Sequence, residues 1–394
     1  MISVAEAKAI IHQNLHPLPP VELSLLQAAY HILAQDVFAA IDIPSFEQSS
    51  MDGYAFRFAD KASPLKIRGE IAAGAQHSIS IKEGEAARIF TGAPLPAGAD
   101  TVVMQEKVSL QNKELVIEDA DLQQGSNVRS KGAEVKAGSL AMPRGTLLSP
   151  AAIGFLAGIG VTKVAVCPRP SVTIIVTGNE LQKPGNSLSY GQVYEANSYS
   201  LRAALHEAGI AVIEVVQADD DIEVLSRILA TALHNSDFVL LTGGVSVGDY
   251  DFVIEATKRC GVQQLFHKVK QRPGKPLFFG TKEGKPVFGL PGNPSSVLSC
   301  FYNYVLQALE MASNKKSSIQ KVSASLAAKY PKQKGLTHFL KGYYEAGKAT
   351  PLNAQESFRL SSFADANCLI CLEEGRGNYE EGETVDVFLL PGYN

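Results

Sequence analysis

Residues 171 to 315 alternate between short apolar runs and segments with helical spacing. Val172 to Val176, Phe238 to Leu241 and Lys285 to Leu290 are apolar runs that predict buried strands. The helical patterns between and after them cover Asn197 to Ala208, Ile222 to His234, Phe252 to Arg259 and the segment that Pro294 opens. Strands separated by helices of about 10–15 residues are typical of a doubly wound parallel sheet, so the sequence predicts an α/β domain here.

Polar, glycine-bearing turns follow these strands. They run from Thr177 to Glu180, from Thr242 to Ser246 and from Leu290 to Ser296. Because the carboxyl ends of parallel strands open on one edge of a sheet, the three turns are expected to lie together. Consecutive glycines expose backbone N–H groups that suit an anion. Taken singly, each turn is equally consistent with a tight turn between a strand and a helix that binds nothing. Asn293 is also consistent with a residue that only caps the following helix.

Four cations lie within eight residues just before the last of these turns: Lys268, Lys270, Arg272 and Lys275. In an extended segment the first three would share one face, which favours binding of a phosphate or another oxyanion. The alternative is a solvated basic edge strand. The sequence Pro273 to Pro276 predicts a turn that aims Lys275 back at the sheet edge.

Carboxylates are also available, at Asp52, Glu134, Glu180, Asp220 and Asp251. Carboxylates beside phosphates suit Mg²⁺ or the activation of water. Each of them alone is also consistent with a turn or a cap. The chain has no GxxxxGK[ST], GxGxxG or HExxH motif, so the common nucleotide and zinc-protease signatures do not apply.

The remaining segments predict further domains. Ser3 and Glu6 form a capping box that starts a helix extending to about Leu15. Apolar spacing predicts a second helix from Leu23 to Ala34. A β-rich region is predicted from Leu65 to Ile117. A helix is predicted to begin at Ser149-Pro150 and to end near Gly158 or Gly160. After Lys315 a second β-rich region is predicted, which ends with a strand from Thr384 to Leu390.

Composition excludes several functional classes. The net charge of −4 argues against non-specific nucleic-acid binding, which requires a basic face. No apolar run approaches the roughly 20 residues of a membrane helix, and the first residues lack the pattern of a secretion signal. Five scattered cysteines indicate a reducing compartment, so we expect a cytoplasmic protein. Cys368 and Cys371 lie in a predicted strand on opposite faces, which argues against a shared metal or redox role.

Several motifs together resemble one family. They are Pro44 to Ala55 (PSFEQSSMDGYA), Arg88 to Pro96 (RIFTGAPLP), Thr177 to Leu181 (TGNEL), Gly243 to Gly248 (GGVSVG) with Asp251, Pro273 to Pro276 (PGKP) and Gly289 to Pro294 (GLPGNP). In this combination and order, over nearly the whole chain, they are similar to the molybdopterin molybdenumtransferases, which include the E domain of gephyrin.

The resemblance implies a multidomain α/β enzyme that takes adenylylated molybdopterin and molybdate as substrates, is assisted by Mg²⁺ and releases AMP. It implies a homodimer whose active cleft combines both subunits, and a molybdopterin adenylyltransferase as a further partner. The implied domains are an elongated linking domain (1–45 and 127–168), a β-rich domain (46–126), a molybdopterin-binding α/β domain with a parallel or mixed sheet (169–315) and a C-terminal β-barrel-like domain (316–394).

Residue by residue, the resemblance implies catalytic roles for Asp52, Thr91, Glu134, Glu180, Asp220, Asp251, Lys268 and Lys275. It implies substrate or cofactor contacts by Gly243, Gly244, Ser246, Arg272, Pro291, Gly292, Asn293, Pro294, Ser296 and Lys341, the last of these to molybdate. The implied magnesium ligands are Glu180, Asp220 and Asp251.

This chain departs from the family pattern at several of these positions. The family usually has Asp at Glu134, Lys at Arg272 and Arg at Lys341, and the run from Asp219 to Asp221 leaves the register of Asp220 open by one residue.

Two other functions are weighed against this one. A molybdopterin adenylyltransferase would share the α/β domain but not the MDGYA segment or a C-terminal β domain. A scaffold like gephyrin would bind the substrates tightly without turnover. Release of AMP that depends on molybdate would distinguish the transferase from both.

Overall fold

The computed structural model describes residues 1–74, 79–244 and 252–392. The chain divides into two compact units, one of residues 1–21 and 167–394 and the other of residues 22–166. Within the described residues, no helix combines the length and the apolar character that crossing a membrane would require.

The first helix, Val4–Gln13, confirms the predicted capping box. Ser3 Oγ accepts a hydrogen bond from Glu6 N, and Glu6 Oε2 accepts one from Ser3 N. These two bonds satisfy amide groups that have no partner inside the helix. Ala7 and Ile11 then bury the apolar side of the helix in the core of the α/β domain.

The predicted doubly wound sheet is present. Its order is Ile213–Ala218, Val172–Thr177, Phe238–Thr242, Lys285–Leu290, Pro276–Lys282 and Gln263–Lys268. The first four strands are parallel and the last two pair antiparallel, so the sheet is mixed. In the strand Val172–Thr177, Ile174 packs into one hydrophobic cluster and Ile175 into another, as expected for a sheet covered on both faces.

Helices separate these strands as the sequence predicts. They are Asn197–Glu207, Ile222–Asn235, Phe252–Arg259 and Pro294–Cys300, the last continued by a π-helical turn, Phe301–Val305, and the helix Leu306–Ala312. A small pair of parallel strands, Leu181–Gln182 and Val193–Tyr194, lies between the strand Val172–Thr177 and the helix Asn197–Glu207.

The last part of the first unit is the expected β barrel. The strand order is Gln271–Arg272, Thr337–Glu345, Lys348–Pro351, Gln320–Leu326, Thr384–Leu389 and Cys368–Leu372. The last of these strands also pairs with Thr337–Glu345, which closes the barrel. A short helix, Ser361–Ala364, connects two of the strands.

The second unit contains a curled six-stranded sheet. Its order is Thr101–Met104, Gly53–Phe56, Glu85–Ile89, Leu65–Ile71, Glu114–Ile117 and Val108–Gln111. The helix Pro150–Gly158 begins at the Ser149 cap, as predicted. The unit also has two single-turn 3-10 helices, Phe58–Asp60 and Gln105–Lys107, and two small antiparallel pairs, Gln48–Ser49 with Val128–Arg129 and Val37–Phe38 with Leu140–Met142.

The predicted helix from Leu23 to Ala34 is wrong. The segment instead forms two strands, Val21–Ser24 and Ile32–Leu33, which flank Lys163–Cys167 in a three-stranded sheet. Turns join them, and Tyr30 has a φ of 62° that a helix does not allow. Pairing with a strand more than a hundred residues away therefore overrides the local helical spacing.

Candidate active site

A cleft of about 850 Å³ lies at the carboxyl ends of the parallel strands. Thr177, Gly178 and Glu180 from the first polar turn line it, as do Gly243 and Gly244 from the second. The third turn contributes Pro291, Gly292, Asn293 and Ser296. The structure thus brings the three turns together at one sheet edge, as the sequence predicts.

Gly243 has no acceptable replacement with a side chain. Its φ is +86°, and a Cβ atom would lie 2.2 Å from the carbonyl oxygen of Thr177. Gly244 also has a positive φ, of +61°. The glycine pair therefore allows two neighbouring strand ends to approach closely, and the Thr177 hydroxyl beside them has no hydrogen-bond partner among the described residues.

A set of three hydrogen bonds holds the second and third turns together. Thr242 Oγ1 donates to Pro291 O at 3.2 Å, and Asn197 Nδ2 donates to Thr242 Oγ1 at 2.9 Å and to Gly292 O at 2.8 Å. Sequence reasoning missed Asn197. Its position at the start of a helix that follows a strand was the available signal, because such helix ends face the ligand-binding edge of the sheet.

Two of the four clustered cations line the cleft, Arg272 and Lys275. The segment is not one extended strand, because Lys268 ends a strand of the α/β sheet and Arg272 belongs to the barrel. Lys270 instead makes a 2.9 Å ion pair with Glu374, and Lys268 is not among the lining residues. The predicted single face of three cations is therefore wrong.

The turn between Arg272 and Lys275 rests on a buried anchor. Gln271 Nε2 donates a 2.8 Å hydrogen bond to Gly274 O, and Gln271 Oε1 accepts one from the Tyr304 hydroxyl. A Cβ atom on Gly274 would meet Cys300 Sγ at 2.5 Å, so the turn packs directly on the helix below. The predicted return of Lys275 to the sheet edge agrees with this geometry.

The barrel domain supplies another wall of the cleft, which sequence reasoning missed. Leu336 and the loop from Gln355 to Phe358 line it. Asn293 Nδ2 donates to Ser357 Oγ at 2.7 Å, and Ser295 N donates to Ser357 O at 3.1 Å. This loop carries no motif that would have marked it, since its position depends on contacts between distant segments.

Lys341 lies beneath that loop. Its side chain is 2% exposed, and its Nζ donates to the carbonyl oxygens of Ala354 and Arg359 at 2.6 and 2.8 Å. Burial lowers the pKa of this amine. The residue does not line the cleft. Its ammonium group instead anchors the two residues that flank the loop, Ala354 and Arg359.

Two of the predicted carboxylates of this unit face the cleft, Glu180 and Asp220. Asp220 Oδ2 accepts a 3.3 Å hydrogen bond from Asn179 N, and Asn179 Oδ1 accepts one of 3.2 Å from Asp220 N. Asp221 instead caps the next helix, and Asp219 is not a lining residue. Ser246 and Asp251 lie outside the described residues, and Pro294 opens its helix without lining the cleft.

The remaining predicted residues belong to the second unit. Asp52 Oδ1 accepts hydrogen bonds from Thr91 N at 2.8 Å and from Thr91 Oγ1 at 2.7 Å. These bonds lower the pKa of Asp52, with a smaller contribution from Arg88. Glu134 is exposed, and its backbone N–H donates to Ile43 O.

This fold and site define a multidomain α/β protein with a ligand cleft at the carboxyl edge of its central sheet. The residues 2–160 match the family model described as the MoeA N-terminal region (domain I and II). Residues 173–311 match a model described as a probable molybdopterin binding domain, and residues 323–390 match the MoeA C-terminal region (domain IV).

Relatives and solved structures agree with these matches. The chain is 33% identical to the molybdopterin molybdenumtransferase of Haemophilus influenzae, over 98% of both chains, and 32% identical to that of Staphylococcus aureus, over 98% of this chain and 95% of the relative. A crystal structure of a MoeA protein from Pyrococcus horikosii superimposes with a TM-score of 0.84 at 32% identity, over 99% of both chains. The chain belongs to the MoeA family of molybdopterin molybdenumtransferases.

Proposed function

We propose that this chain transfers molybdenum from molybdate to adenylylated molybdopterin. In the overall reaction, water cleaves the phosphorus–oxygen–phosphorus link of the substrate, which releases AMP. The two dithiolene thiols then replace oxygen on molybdate, and the displaced oxygen leaves as water with the thiol protons. One observation carries the proposal: the glycine-bearing turns of three strand ends meet two cations and two carboxylates in one cleft. That combination suits a substrate that carries a pyrophosphate and a second, oxyanionic substrate.

Arg272 and Lys275 are the proposed contacts for these anions. Both line the cleft, and a charge-assisted hydrogen bond to an oxyanion contributes about 1.5–3 kcal/mol. Arg272 presents a planar fork rather than a point charge, so it suits two oxygens of one group. The backbone turns at Gly243 and Pro291 to Ser296 are proposed to surround the same anions, and Lys268 remains a predicted contributor to the reaction.

Mg²⁺ is the proposed metal. No group of three potential ligands of the His, Cys, Asp and Glu types occurs in the described part of the chain. Glu180 and Asp220 nevertheless line one cleft, and magnesium in such sites usually takes one or two carboxylates together with substrate phosphates. These two residues, with Asp251, would hold the ion, which would polarise the pyrophosphate.

A homodimer is proposed to complete the site, with Asp52 and Thr91 contributed by the other subunit. The two hydrogen bonds from Thr91, which lower the pKa of Asp52, favour an ionised carboxylate that orients water over one that donates a proton. Large exposed apolar side chains in the second unit include Leu26, Phe38, Ile41, Leu140 and Leu147. Phe38 and Leu140 are neighbours on two paired strands, and adjoining exposed apolar side chains suit association between copies.

The four domain boundaries expected from the sequence, and the cytoplasmic location, are part of the same proposal. Five free cysteines are consistent with a reducing compartment. A molybdopterin adenylyltransferase is the proposed source of the adenylylated substrate, because this chain consumes that compound.

The test uses two neighbouring aspartates. With adenylylated molybdopterin, molybdate and Mg²⁺, wild-type protein should release AMP. Asp220→Asn should lower the rate by about 100-fold or more, as expected for loss of an electrostatic contact at the reacting group. Asp219→Asn is the matched control, since that residue does not line the cleft and should retain activity.

Asp251→Ala should likewise stop AMP release without unfolding the protein, and full turnover by that variant would remove Asp251 from the mechanism. Wild-type protein that binds both substrates but releases no AMP would contradict the proposed function.

A further inference from the structure

Phe358 is an aromatic side chain at the rim of the cleft. It is 62% exposed, yet it is one of the residues that line the cavity. A single exposed apolar residue is ordinary on a protein surface and by itself indicates nothing. What distinguishes Phe358 is how firmly the chain on both sides of it is held.

The residues that flank Phe358 are anchored to two different parts of the domain. On one side, Ser357 accepts hydrogen bonds from Asn293 Nδ2 and Ser295 N at the sheet edge. On the other side, the carbonyl oxygen of Arg359 accepts a 2.8 Å hydrogen bond from the buried Lys341. The backbone at Phe358 is therefore fixed relative to the cleft, although its ring is exposed.

The ring itself has a neighbour that restricts it. The Arg359 guanidinium lies 5.8 Å from the ring centroid, and Arg359 Nε lies 3.4 Å from a carboxylate oxygen of Glu356. A cation on one side of an aromatic ring is a favourable contact, and it leaves the rest of the ring available. An aromatic ring on a backbone held in this way binds a flat partner at a lower entropic cost than a ring on a free loop.

We infer that Phe358 stacks on a planar heterocyclic ring of the substrate and so contributes to substrate specificity. The inference rests on the proposed function, under which the substrate carries two such rings, a pterin and an adenine. Aromatic side chains stack on rings of this kind with a useful affinity that does not depend on hydrogen-bond readout. The backbone turns and cations of the same cleft would hold the phosphates, and Phe358 would select for the ring.

The chain contains no tryptophan, which makes a direct test available. Phe358→Trp introduces a single tryptophan at the rim, and stacking should quench its fluorescence. AMP and a simple pterin are titrated separately to show which ring is bound, with ribose 5-phosphate as the ligand that lacks a ring. Tyr343→Trp is the matched control for absorption by the ligands, since Tyr343 is 46% exposed on a barrel strand and does not line the cleft.

Saturable quenching of the Phe358→Trp variant by AMP or by the pterin, absent with ribose 5-phosphate and in the control, would support the inference. Quenching by neither ring would overturn it. Because this measurement needs no turnover, it separates the ring contact from the proposed reaction.

Kinetics supply the second measurement. Phe358→Leu keeps an apolar side chain but removes the aromatic face, and it should raise the KM for adenylylated molybdopterin by about 5- to 100-fold with little change in kcat. Phe358→Tyr should restore the wild-type KM. If wild-type protein turns over and Phe358→Leu keeps its KM, the stacking role is wrong while the proposed function stands. If wild-type protein shows no turnover but the quenching is saturable, the proposed function fails and the ring contact stands.

Discussion

Asn293 Nδ2 donates a 2.7 Å hydrogen bond to Ser357 Oγ, and this contact joins the edge of the α/β sheet to a loop of the barrel domain. Asn293 begins the turn into the helix Pro294–Cys300, but its side chain does not cap that helix. The hydrogen bond therefore stabilises the contact between the α/β sheet and the barrel rather than the helix itself. Both partners line the cleft, so its geometry depends on this junction.

The junction can be tested with a pair of truncations. Asn293→Ala and Ser357→Ala each remove the same hydrogen bond, which contributes about 0.5–1.5 kcal/mol. Each variant should therefore raise the KM for molybdate by a few-fold, measured from AMP release. The double variant should be no worse than the poorer single variant, because the bond can be lost only once. Fully additive effects would show that the two side chains act independently.

Lys341 should matter for stability more than its position outside the cleft suggests. Lys341→Met leaves the Ala354 and Arg359 carbonyl oxygens without their ammonium donor, which should lower the free energy of unfolding by about 2–4 kcal/mol. Urea denaturation measures the loss. Lys341→Arg should retain most of the stability, and Lys348→Met, at an exposed site on the neighbouring strand, should change little. Equal stability of the two Met variants would contradict the anchoring role.

Two glycines with the same φ allow the destabilisation caused by backbone strain to be measured apart from that caused by a close contact. Gly243 and Gly191 both have a φ of +86°, but only Gly243 has a carbonyl oxygen within 2.2 Å of the Cβ position. Gly191→Ala should lower the free energy of unfolding by about 1 kcal/mol, because alanine is strained in the left-handed conformation. Gly243→Ala should lower the free energy of unfolding by clearly more than this. It should also weaken molybdate binding, because the strand ends must move apart. Thermal denaturation and molybdate binding of the two variants provide the comparison.

The bond between Thr91 and Asp52 predicts a change in the pH dependence of activity. Thr91→Val removes the hydroxyl donor but keeps the backbone N–H donor, so the pKa of Asp52 should rise toward its ordinary value. If ionised Asp52 is needed for turnover, the acid limb of the kcat/KM profile should move to higher pH. Asp52→Asn should lose activity at every pH. An unshifted acid limb in Thr91→Val would exclude Asp52 as the titrating group.

The buried side chain of His338 is expected to make the folded protein less stable in acid. The side chain is 7% exposed and lies against the Tyr330 ring, and burial, with Lys332 and Arg272 nearby, lowers its pKa to about 4. Below about pH 6.5 the His338 imidazole is protonated in the unfolded chain. In the folded protein it becomes protonated only near pH 4. The free energy of unfolding should therefore fall by about 3 kcal/mol between pH 7 and pH 4 on this account.

His338→Gln is the control for that pH effect, since it removes the titrating group. Its unfolding free energy, measured by denaturation at each pH, should fall less steeply than that of the wild type in this range. Parallel slopes would assign the acid sensitivity to other groups.

Local patterns were enough to predict the elements that form the cleft. The apolar runs Val172 to Val176 and Phe238 to Leu241 are strands because their residues are buried on both faces, and a glycine follows each strand. The capping box at Ser3 and the Ser149-Pro150 helix start are likewise local, since their hydrogen bonds join residues three apart. Parallel topology then requires the strand ends to share one edge.

Contacts between distant segments decided the rest. The residues from Leu23 to Ala34 have helical spacing but pair with Lys163–Cys167, because tertiary burial outweighs a weak local preference. The run from Lys268 to Arg272 is divided between two sheets, which separates cations that the sequence places together. Asn197 meets Gly292 at the cleft, and the loop carrying Phe358 lines the cleft, only through folding of the whole domain. The sequence by itself determined which segments could form strands, helices and glycine turns, and only the tertiary structure decided which side chains meet, because those meetings join residues far apart in the chain.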